Sequence, residues 1–324
     1  MKTTKAIFAA VSLIFASGPL VAADYPTKPV ELVNSANPGG GSDIFLRMLA
    51  SVSAEPFGGD FVVVSKPGGR SIVAMNYVNG RPRDGYTLEI FTPGQLQQIA
   101  EGKGPFKYDD IEPVVVGTID PVVLVAKKGK FKDIQDAIAQ GKTRRLRIGG
   151  TETGNFEWLA AMSFANESKI QRPIYVPLGG GGDVILNTIG ATLEIGVGNL
   201  TEVTAQVKAG ELDALMVMAE KRSPSLPNTP TAREVGMDLV LAQSRGLVAL
   251  KGTPLDRIQK LEQAFLKGMQ SPKYQEYLTS NGLGSDSIGD RAAWGKIMKE
   301  TTARVMKSFA DLKAAQQEQK QQKK

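Results

Sequence analysis

The sequence predicts an α/β fold of two domains, with mixed, mainly parallel sheets that carry helices on both faces. Short β-branched runs alternate with helical patterns along the chain, an order that is typical of parallel sheets. Two stretches have the character of strands that cross between domains, and four strands lead through glycines into a helix. With 324 residues and 42% hydrophobic composition, the chain can bury a full core.

Residues 1–23 have the pattern of a secretory signal peptide. Two lysines give a positive start, residues 6–16 form an apolar run, and small residues precede a cleavage site after Ala23. The apolar run is much shorter than the roughly 20 residues that a membrane-spanning helix needs. We therefore expect cleavage, export, and a mature protein that resides in the periplasm.

The elements follow in order along the mature chain. Short β-branched runs predict strands at residues 30–33, 61–64, 87–91, 114–117, 122–126, 146–148, 174–177, 192–197, 212–218 and 246–250. Helical patterns predict helices at residues 43–53, 72–79, 133–140, 156–166, 184–189, 203–209, 254–270, 272–281 and 291–314.

Two stretches, residues 114–126 and 239–250, are predicted to cross between the domains. The first is interpreted as two strands split by Asp120-Pro121, and the second follows a Pro- and Ser-rich loop. Two crossings make the first domain discontinuous, and a cleft between such domains is a natural ligand site. The expected division is residues 24–120 and 246–312 for the first domain, 121–245 for the second, and a Gln/Lys-rich tail at 313–324.

The composition excludes several kinds of site. The chain has no His and no Cys, so it has no Ser-His-Asp triad, thiolate nucleophile or disulfide. The formal charge is +6, but two lysines belong to the signal and the tail contributes four lysines against Glu318. The remaining body is close to neutral, and basic residues do not interleave with aromatic ones as in single-strand binders. We predict no nucleic-acid partner, catalytic residue, metal or cofactor.

Four strand-to-helix junctions carry the predicted binding chemistry. They lie at residues 38–43, 66–71, 149–155 and 179–183. Each offers free backbone N–H groups at the positive end of a helix, and glycine lets a ligand approach that backbone closely. None matches a P-loop or a dinucleotide-binding pattern. Two junctions fall in each domain, so they would form an anion clamp without Lys or Arg if they faced one cleft.

The candidate ligand-binding residues come mainly from these junctions. In the first domain they are Pro38, Gly39, Gly40, Gly41, Ser42, Asp43, Gly68, Gly69 and Thr92. In the second domain they are Thr151, Thr153, Gly154, Asn155, Gly179, Gly180, Gly181, Asp183 and Asn199. Asp43 could orient a ligand amine or a water, although an Asp in the first turn of a helix is more often structural. Arg70 could pair with a carboxylate, although a solvated loop charge is the stronger expectation, and Glu152 is expected to point outward or to accept from a ligand donor.

A series of motifs extends over nearly the whole mature chain. It comprises YPTKPV at 25–30, NPGGGSD at 37–43, SKPGG at 65–69, PRDGYTL at 82–88, VPLGGG at 176–181, LPNTPTAREVG at 226–236 and GTP at 252–254. The series resembles the Bug-type receptors, which are the periplasmic solute-binding components of tripartite tricarboxylate transporters.

The resemblance implies a two-domain periplasmic binding protein of the Venus-flytrap type that closes on a small organic carboxylate. In that family the carboxylate is held largely by backbone N–H groups and water. Carried over, this implicates Gly39, Gly40, Ser42 and Asp43 in one domain and Thr151, Thr153, Gly154 and Asn155 in the other, with residues 179–181 lining the cleft. It also implies membrane permease subunits as partners, and we expect a monomer.

Two departures from the family pattern concern the second domain. Its first loop usually has a Gly/Ser run followed by a His-Leu pair, whereas residues 151–158 are TETGNFEW. Tyr175 stands before Val176-Pro177, where the family usually carries a His. The distal group of the ligand is therefore expected to differ from that of common members.

Two other functions stay open at this point. One is a receptor whose ligand-bound form signals to a membrane sensor instead of feeding a permease. The other is an exported hydrolase built on a pair of Asp or Glu side chains.

Overall fold

The structure of the protein is a computed structural model that describes residues 25–151 and 153–321. The predicted signal peptide, Glu152 and the last three residues of the predicted tail lie outside the described residues. The strands are β1 Val30–Asn34, β2 Phe61–Ser65, β3 Thr87–Phe91, β4 Ile111–Lys127, β5 Arg147–Gly150, β6 Ile174–Pro177, β7 Ile195–Asn199, β8 Leu212–Val217 and β9 Ala242–Leu250. The helices are α1 Gly41–Phe57, α2 Ile72–Asn79, α3 Pro93–Ala100, α4 Ile134–Thr143, α5 Phe156–Glu167, α6 Gly181–Ile189, α7 Leu200–Lys208, α8 Leu255–Met269, α9 Pro272–Ser280 and α10 Arg291–Gln321.

The strands form two sheets that share β4. The first sheet has the order β2-β1-β3-β9-β4, and β1 runs parallel to both of its neighbours. The second has the order β8-β4-β7-β5-β6, and β5 runs parallel to both of its neighbours. In the described part of the chain, each antiparallel pairing involves β4 or β9. The strands β2, β1 and β3 of the first sheet and β7, β5 and β6 of the second are therefore parallel, as the α/β pattern predicts, and these antiparallel pairs all involve one or both of the crossing strands β4 and β9.

β4 corrects the prediction of two separate strands at 114–117 and 122–126. It is one strand of 17 residues that pairs with β9 through Pro121 and with β7 from Val122 onward. Proline lacks an N–H but has a φ angle compatible with a strand. Pro121 pairs with Ala242, the first residue of β9, so the missing donor falls where β4 passes from one sheet to the other.

Apolar periodicity explains the helices that cover the first sheet. Phe45, Leu46 and Leu49 of α1 are buried, and α1 packs against α8. In α8 the buried positions Ile258, Leu261 and Phe265 recur at the spacing of one helix face. These residues belong to one apolar cluster, which also includes Leu88 and Ile90 of β3 and their neighbours.

The long helix α10 contacts both halves of the molecule. Trp294 and Met298 near its start lie in an apolar cluster with Phe91 of the first sheet. Val305, about two turns later, lies in the cluster of the second sheet. α10 accordingly packs against α3 as well as α5, and it joins the two halves in addition to β4 and β9.

Candidate functional site

A cleft of about 710 Å³ lies at the carboxyl ends of strands from both sheets. Its lining consists of Ser35, Ala36, Asn37, Ser42, Pro67, Gly68, Gly69, Arg70, Ser71, Thr92, Gly94, Gln97, Gln98, Thr151, Asn155, Phe156, Glu157, Gly179 and Gln243. All four predicted junctions contribute residues. The volume is within the range of roughly 300–1,000 Å³ that is usual for small-molecule sites.

The first junction presents the start of α1 to the cleft through Ser42. The N-cap residue Gly40 has no side chain to cap the helix, so the first N–H groups of α1 are available to a ligand. Gly39 has a φ of 82°, a conformation that favours glycine. A Cβ on Gly41 would lie 3.2 Å from Nη2 of Arg245, so a side chain here would crowd that guanidinium.

Asp43 braces this loop and does not line the cleft. It is 3% exposed, and its Oδ2 accepts hydrogen bonds from the Gly39 N–H at 3.0 Å and from Nε of Arg47 at 2.8 Å. These bonds, led by the one from Arg47, lower the pKa of Asp43. The carboxylate therefore fixes the turn that points the α1 N-terminus at the cleft.

The second junction brings a cation to the cleft. Gly68, Gly69, Arg70 and Ser71 all have positive φ angles, which turns the chain sharply before α2. Arg70 was expected to be a solvated loop charge, but its side chain is 35% exposed and lines the cleft. Lining residues between 35 and 98 form the first wall of the cleft, and those between 151 and 179 form the second wall. Nη2 of Arg70 donates to the carbonyl oxygen of Gly154, on the second wall, at 2.6 Å.

The sequence prediction missed α3, which forms part of the same wall. Thr92 is its N-cap, Pro93 is its first residue, and Oγ1 of Thr92 accepts from the Gly94 N–H at 3.2 Å. Gln95 completes a capping box by accepting from the Thr92 N–H. The Thr-Pro-x-Gln pattern was the available signal, but a helix of eight residues with three glutamines has little apolar periodicity.

Gln97 of α3 makes a second bridge across the cleft. Its Nε2 donates to the Gly154 carbonyl at 2.6 Å and to Oε1 of Glu101 at 2.9 Å. Gly154 has a φ of 88° and therefore needs the freedom of glycine. Its carbonyl oxygen thus receives two donors from the first wall, Arg70 and Gln97.

The third junction supplies most of the second wall. Oγ1 of Thr151 donates to Oε2 of Glu157 at 2.6 Å, and the Tyr175 hydroxyl donates to the Thr151 carbonyl at 2.8 Å. Burial raises the pKa of Tyr175 well above its ordinary value, so the phenol keeps its proton. Asn155 caps α5 without a side-chain hydrogen bond to the helix. Thr151 and Glu157 are thereby fixed relative to each other at the cleft surface.

The fourth junction reaches the cleft only through Gly179. Gly181 begins α6, and a Cβ there would collide with the carboxylate of Glu202 in α7. Asn199 is the N-cap of α7, and its backbone N–H donates to Oε2 of Glu202 at 3.1 Å. Burial raises the pKa of Glu202.

The cleft therefore brings together only some of the predicted residues. Those in its lining are Ser42, Gly68, Gly69, Thr92, Thr151, Asn155 and Gly179. Those outside it are Pro38, Gly39, Gly40, Gly41, Asp43, Thr153, Gly154, Gly180, Gly181, Asp183 and Asn199.

A buried ion pair lies on the crossing strands. Nη1 of Arg245 in β9 is 3.9 Å from Oδ2 of Asp120 in β4. Asp120 also accepts from the backbone N–H of Thr201 at 3.1 Å and from its Oγ1 at 2.5 Å, at the start of α7. Burial raises the pKa of Asp120 although Arg245 opposes that shift. The pair links the crossing strands to the N-terminus of a helix in the second half.

The described residues also bear on metals and membranes. Within residues 25–151 and 153–321, no group of three or more Asp and Glu side chains has the arrangement of a metal site. No helix in this part of the chain is both long and apolar enough to cross a membrane.

The chain is similar to known proteins along most of its length. BugT of Bordetella pertussis is 26% identical over 309 residues, which cover 89% of this chain and 94% of BugT. A TctC solute-binding protein from Polaromonas superposes with a TM-score of 0.79 at 24% identity, covering 88% of this chain and 99% of that one. A Rhodopseudomonas palustris protein solved with adipate has a TM-score of 0.75 at 25% identity, covering 89% of this chain and 98% of that one.

These structures share the two-domain fold of periplasmic binding proteins, so the fold class predicted from the sequence is confirmed. The family model of the tripartite tricarboxylate transporter family receptor, TctC, matches residues 45–310. The match confirms the resemblance carried by the motifs. The chain belongs to the TctC family of tripartite tricarboxylate transporter receptors.

Proposed function

We propose that the protein is an exported receptor that captures a small organic carboxylate in this cleft and delivers it to a tripartite permease. The observation that carries the proposal is the uncapped start of α1 at the cleft surface. A helix N-terminus stabilises a bound anion by roughly 0.3–1 kcal/mol when exposed and by up to about 2 kcal/mol when partly buried. Charge-assisted hydrogen bonds contribute about 1.5–3 kcal/mol each before the costs of binding.

The proposed contacts are the lining residues of the four junctions together with the start of α1. The backbone at residues 41–42, 68–69, 151, 155 and 179 would face the ligand. Gly39 and Asp43 would act by shaping the first loop. Several such contacts together can reach the roughly 8 kcal/mol of a micromolar complex.

The proposal includes closure, export and partners. Residues 121–245 would move against residues 24–120 and 246–312 to enclose the ligand. Residues 1–23 would be removed during export to the periplasm, and the mature monomer would dock on membrane permease subunits. Catalysis is not part of the proposal, because a hydrolase of the expected kind needs two carboxylates and the described cleft lining contains one, Glu157.

A thermal-shift screen of the mature, ligand-stripped protein tests this function. The library contains mono-, di- and tricarboxylates, amino acids and aromatic acids. A ligand at 100 times its Kd should add about 2.7 kcal/mol to the free energy of unfolding, which corresponds to a Tm rise on the order of 5 °C. If no compound in the library raised the Tm, the proposed function would be wrong.

A further inference from the structure

The two walls of the cleft carry opposite charges. Among the described lining residues, the ionisable side chains are Arg70 on the first wall and Glu157 on the second. Arg70 has a distant counter-charge in Glu101, at 4.0 Å. Glu157 is held by the Thr151 hydroxyl at 2.6 Å and has no cation within salt-bridge distance among the described residues.

On the second wall, carboxylates of the chain also lie beside the N-termini of helices. Glu157 lies in the first turn of α5, and the Glu202 carboxylate lies against the first residue of α6. Both of these helix starts therefore have a carboxylate of the chain beside them, which disfavours a ligand carboxylate there.

The first wall differs because the carboxylate in the first turn of α1 is paired with a cation. Oδ2 of Asp43 accepts from Nε of Arg47 at 2.8 Å and lies outside the cleft lining. The guanidinium of Arg245 lies beside Gly41, the first residue of α1, and its ion pair with Asp120 is long, at 3.9 Å. A ligand carboxylate is accordingly favoured at this wall and disfavoured at the other.

Gln97 adds a buried acceptor that lacks a donor. Its side chain is 1% exposed and lines the cleft. Its Nε2 is bonded to two groups that can only accept, the Gly154 carbonyl and Oε1 of Glu101, so the orientation of the amide is fixed. Oε1 of Gln97 is then left without a hydrogen-bond partner among the described residues. An unpaired buried acceptor costs about 1–3 kcal/mol, but this atom is closed to solvent on the first wall, so Glu157 is the acceptor that a ligand nitrogen meets in the cleft lining.

We infer that the ligand is a carboxylate that also carries a protonated nitrogen, and that it is not a dicarboxylate. Its carboxylate faces the start of α1 on the first wall, and its nitrogen faces Glu157 on the second wall. The inference rests on the proposed function, because it assumes that the cleft binds a carboxylate at all.

Matched ligand pairs test the inference by isothermal titration calorimetry on the mature, ligand-stripped protein. One set pairs 4-aminobutyrate with succinate, 5-aminopentanoate with glutarate and 6-aminohexanoate with adipate. A second set pairs each protein amino acid with its 2-oxo acid, which lacks the nitrogen. The nitrogen-bearing member of the best pair should bind at least about tenfold tighter, which corresponds to about 1.4 kcal/mol.

Two variants assign that preference to Glu157. Glu157→Gln keeps the shape of the side chain but removes its charge, and it should reduce the preference at least about fivefold. Glu167→Gln removes the same charge from the far end of α5 and should leave the preference unchanged. The Tm of each ligand-free variant shows that it is folded.

The outcomes separate the inference from the function on which it rests. Binding of dicarboxylates or 2-oxo acids as tightly as their nitrogen-bearing partners would overturn the inference and leave the receptor function standing. An equal preference in wild type and Glu157→Gln would show that Glu157 does not bind the ligand nitrogen. If neither set bound, nor any other carboxylate in the wider screen, the receptor function would fail together with the inference.

Discussion

At the scale of single residues, Glu89 is the most unusual ionisable side chain of the first sheet. It lies in β3 and is fully buried, and the neighbouring side chain of Gln95 offsets only part of the cost of ionising it there. Burial raises its pKa well above the ordinary value. The folded protein therefore holds a proton on Glu89 at pH values where the unfolded chain has lost it, so this residue makes stability fall as the pH rises above about 4.5.

Glu89→Gln tests this assignment because glutamine has the same shape and does not ionise. We expect the variant to be more stable than wild type at pH 7.5, by about 1 kcal/mol or more, and the gain to shrink as the pH falls toward 5. Urea unfolding at both pH values measures the difference, and Glu55→Gln on the exposed face of α1 is the matched control. A gain of the same size at both pH values would contradict the assignment.

Single residues of the site differ in how well the sequence predicts their role. Asp43 sits in the first turn of a helix, where Asp is often structural, and it does brace the loop. Arg70 follows two glycines and was expected to point into solvent. Its contact with Gly154 depends on a residue 84 positions away, so nothing local in the sequence predicts it.

At the scale of elements, strands and helices with strong local patterns were predicted closely. The strands at 87–91 and 174–177 and the helix at 72–79 have the predicted bounds. The sequence predicts two strands split at Asp120-Pro121, because proline is rare inside a sheet. Pro121 is tolerated within the single strand β4 because it lies opposite the first residue of β9. Helix α3 is not predicted because its sequence signal is a capping box, whereas the other helices are recognised by apolar periodicity. The charge difference between the walls depends on side-chain directions, which local patterns do not determine.

At the scale of the whole molecule, the two halves are joined along the chain and across the cleft. β4, β9 and α10 connect them covalently or through the core. Across the cleft, the Gly154 carbonyl receives donors from Arg70 and Gln97, both at 2.6 Å. These two bonds hold the walls together in the described arrangement, and we expect them to favour the closed state.

The double variant Arg70→Ala/Gln97→Ala should shift the protein toward an open state. Small-angle X-ray scattering of the ligand-free protein should show a larger radius of gyration than wild type. Affinity should fall at least about tenfold, because a smaller fraction of the molecules is closed and the cation of the first wall is lost, so the radius is the readout that reports closure by itself. Lys103→Ala removes a cation that also contacts Glu101 but does not touch Gly154, and it serves as the control. An unchanged radius and an unchanged Kd would show that these bonds do not hold the cleft closed.

The central claim is that backbone N–H groups at the start of α1 hold the ligand carboxylate. Ser42→Pro removes one such N–H at a helix position that tolerates proline, whereas Ser42→Ala removes the hydroxyl and keeps the N–H. The most direct measurement is the Kd of both variants for the best ligand of the screen, by calorimetry, with the ligand-free Tm as the check on folding. The account predicts that Ser42→Pro binds at least about tenfold more weakly than Ser42→Ala, which corresponds to the loss of a charge-assisted bond of about 1.5 kcal/mol. Equal affinity of the two folded variants would contradict it.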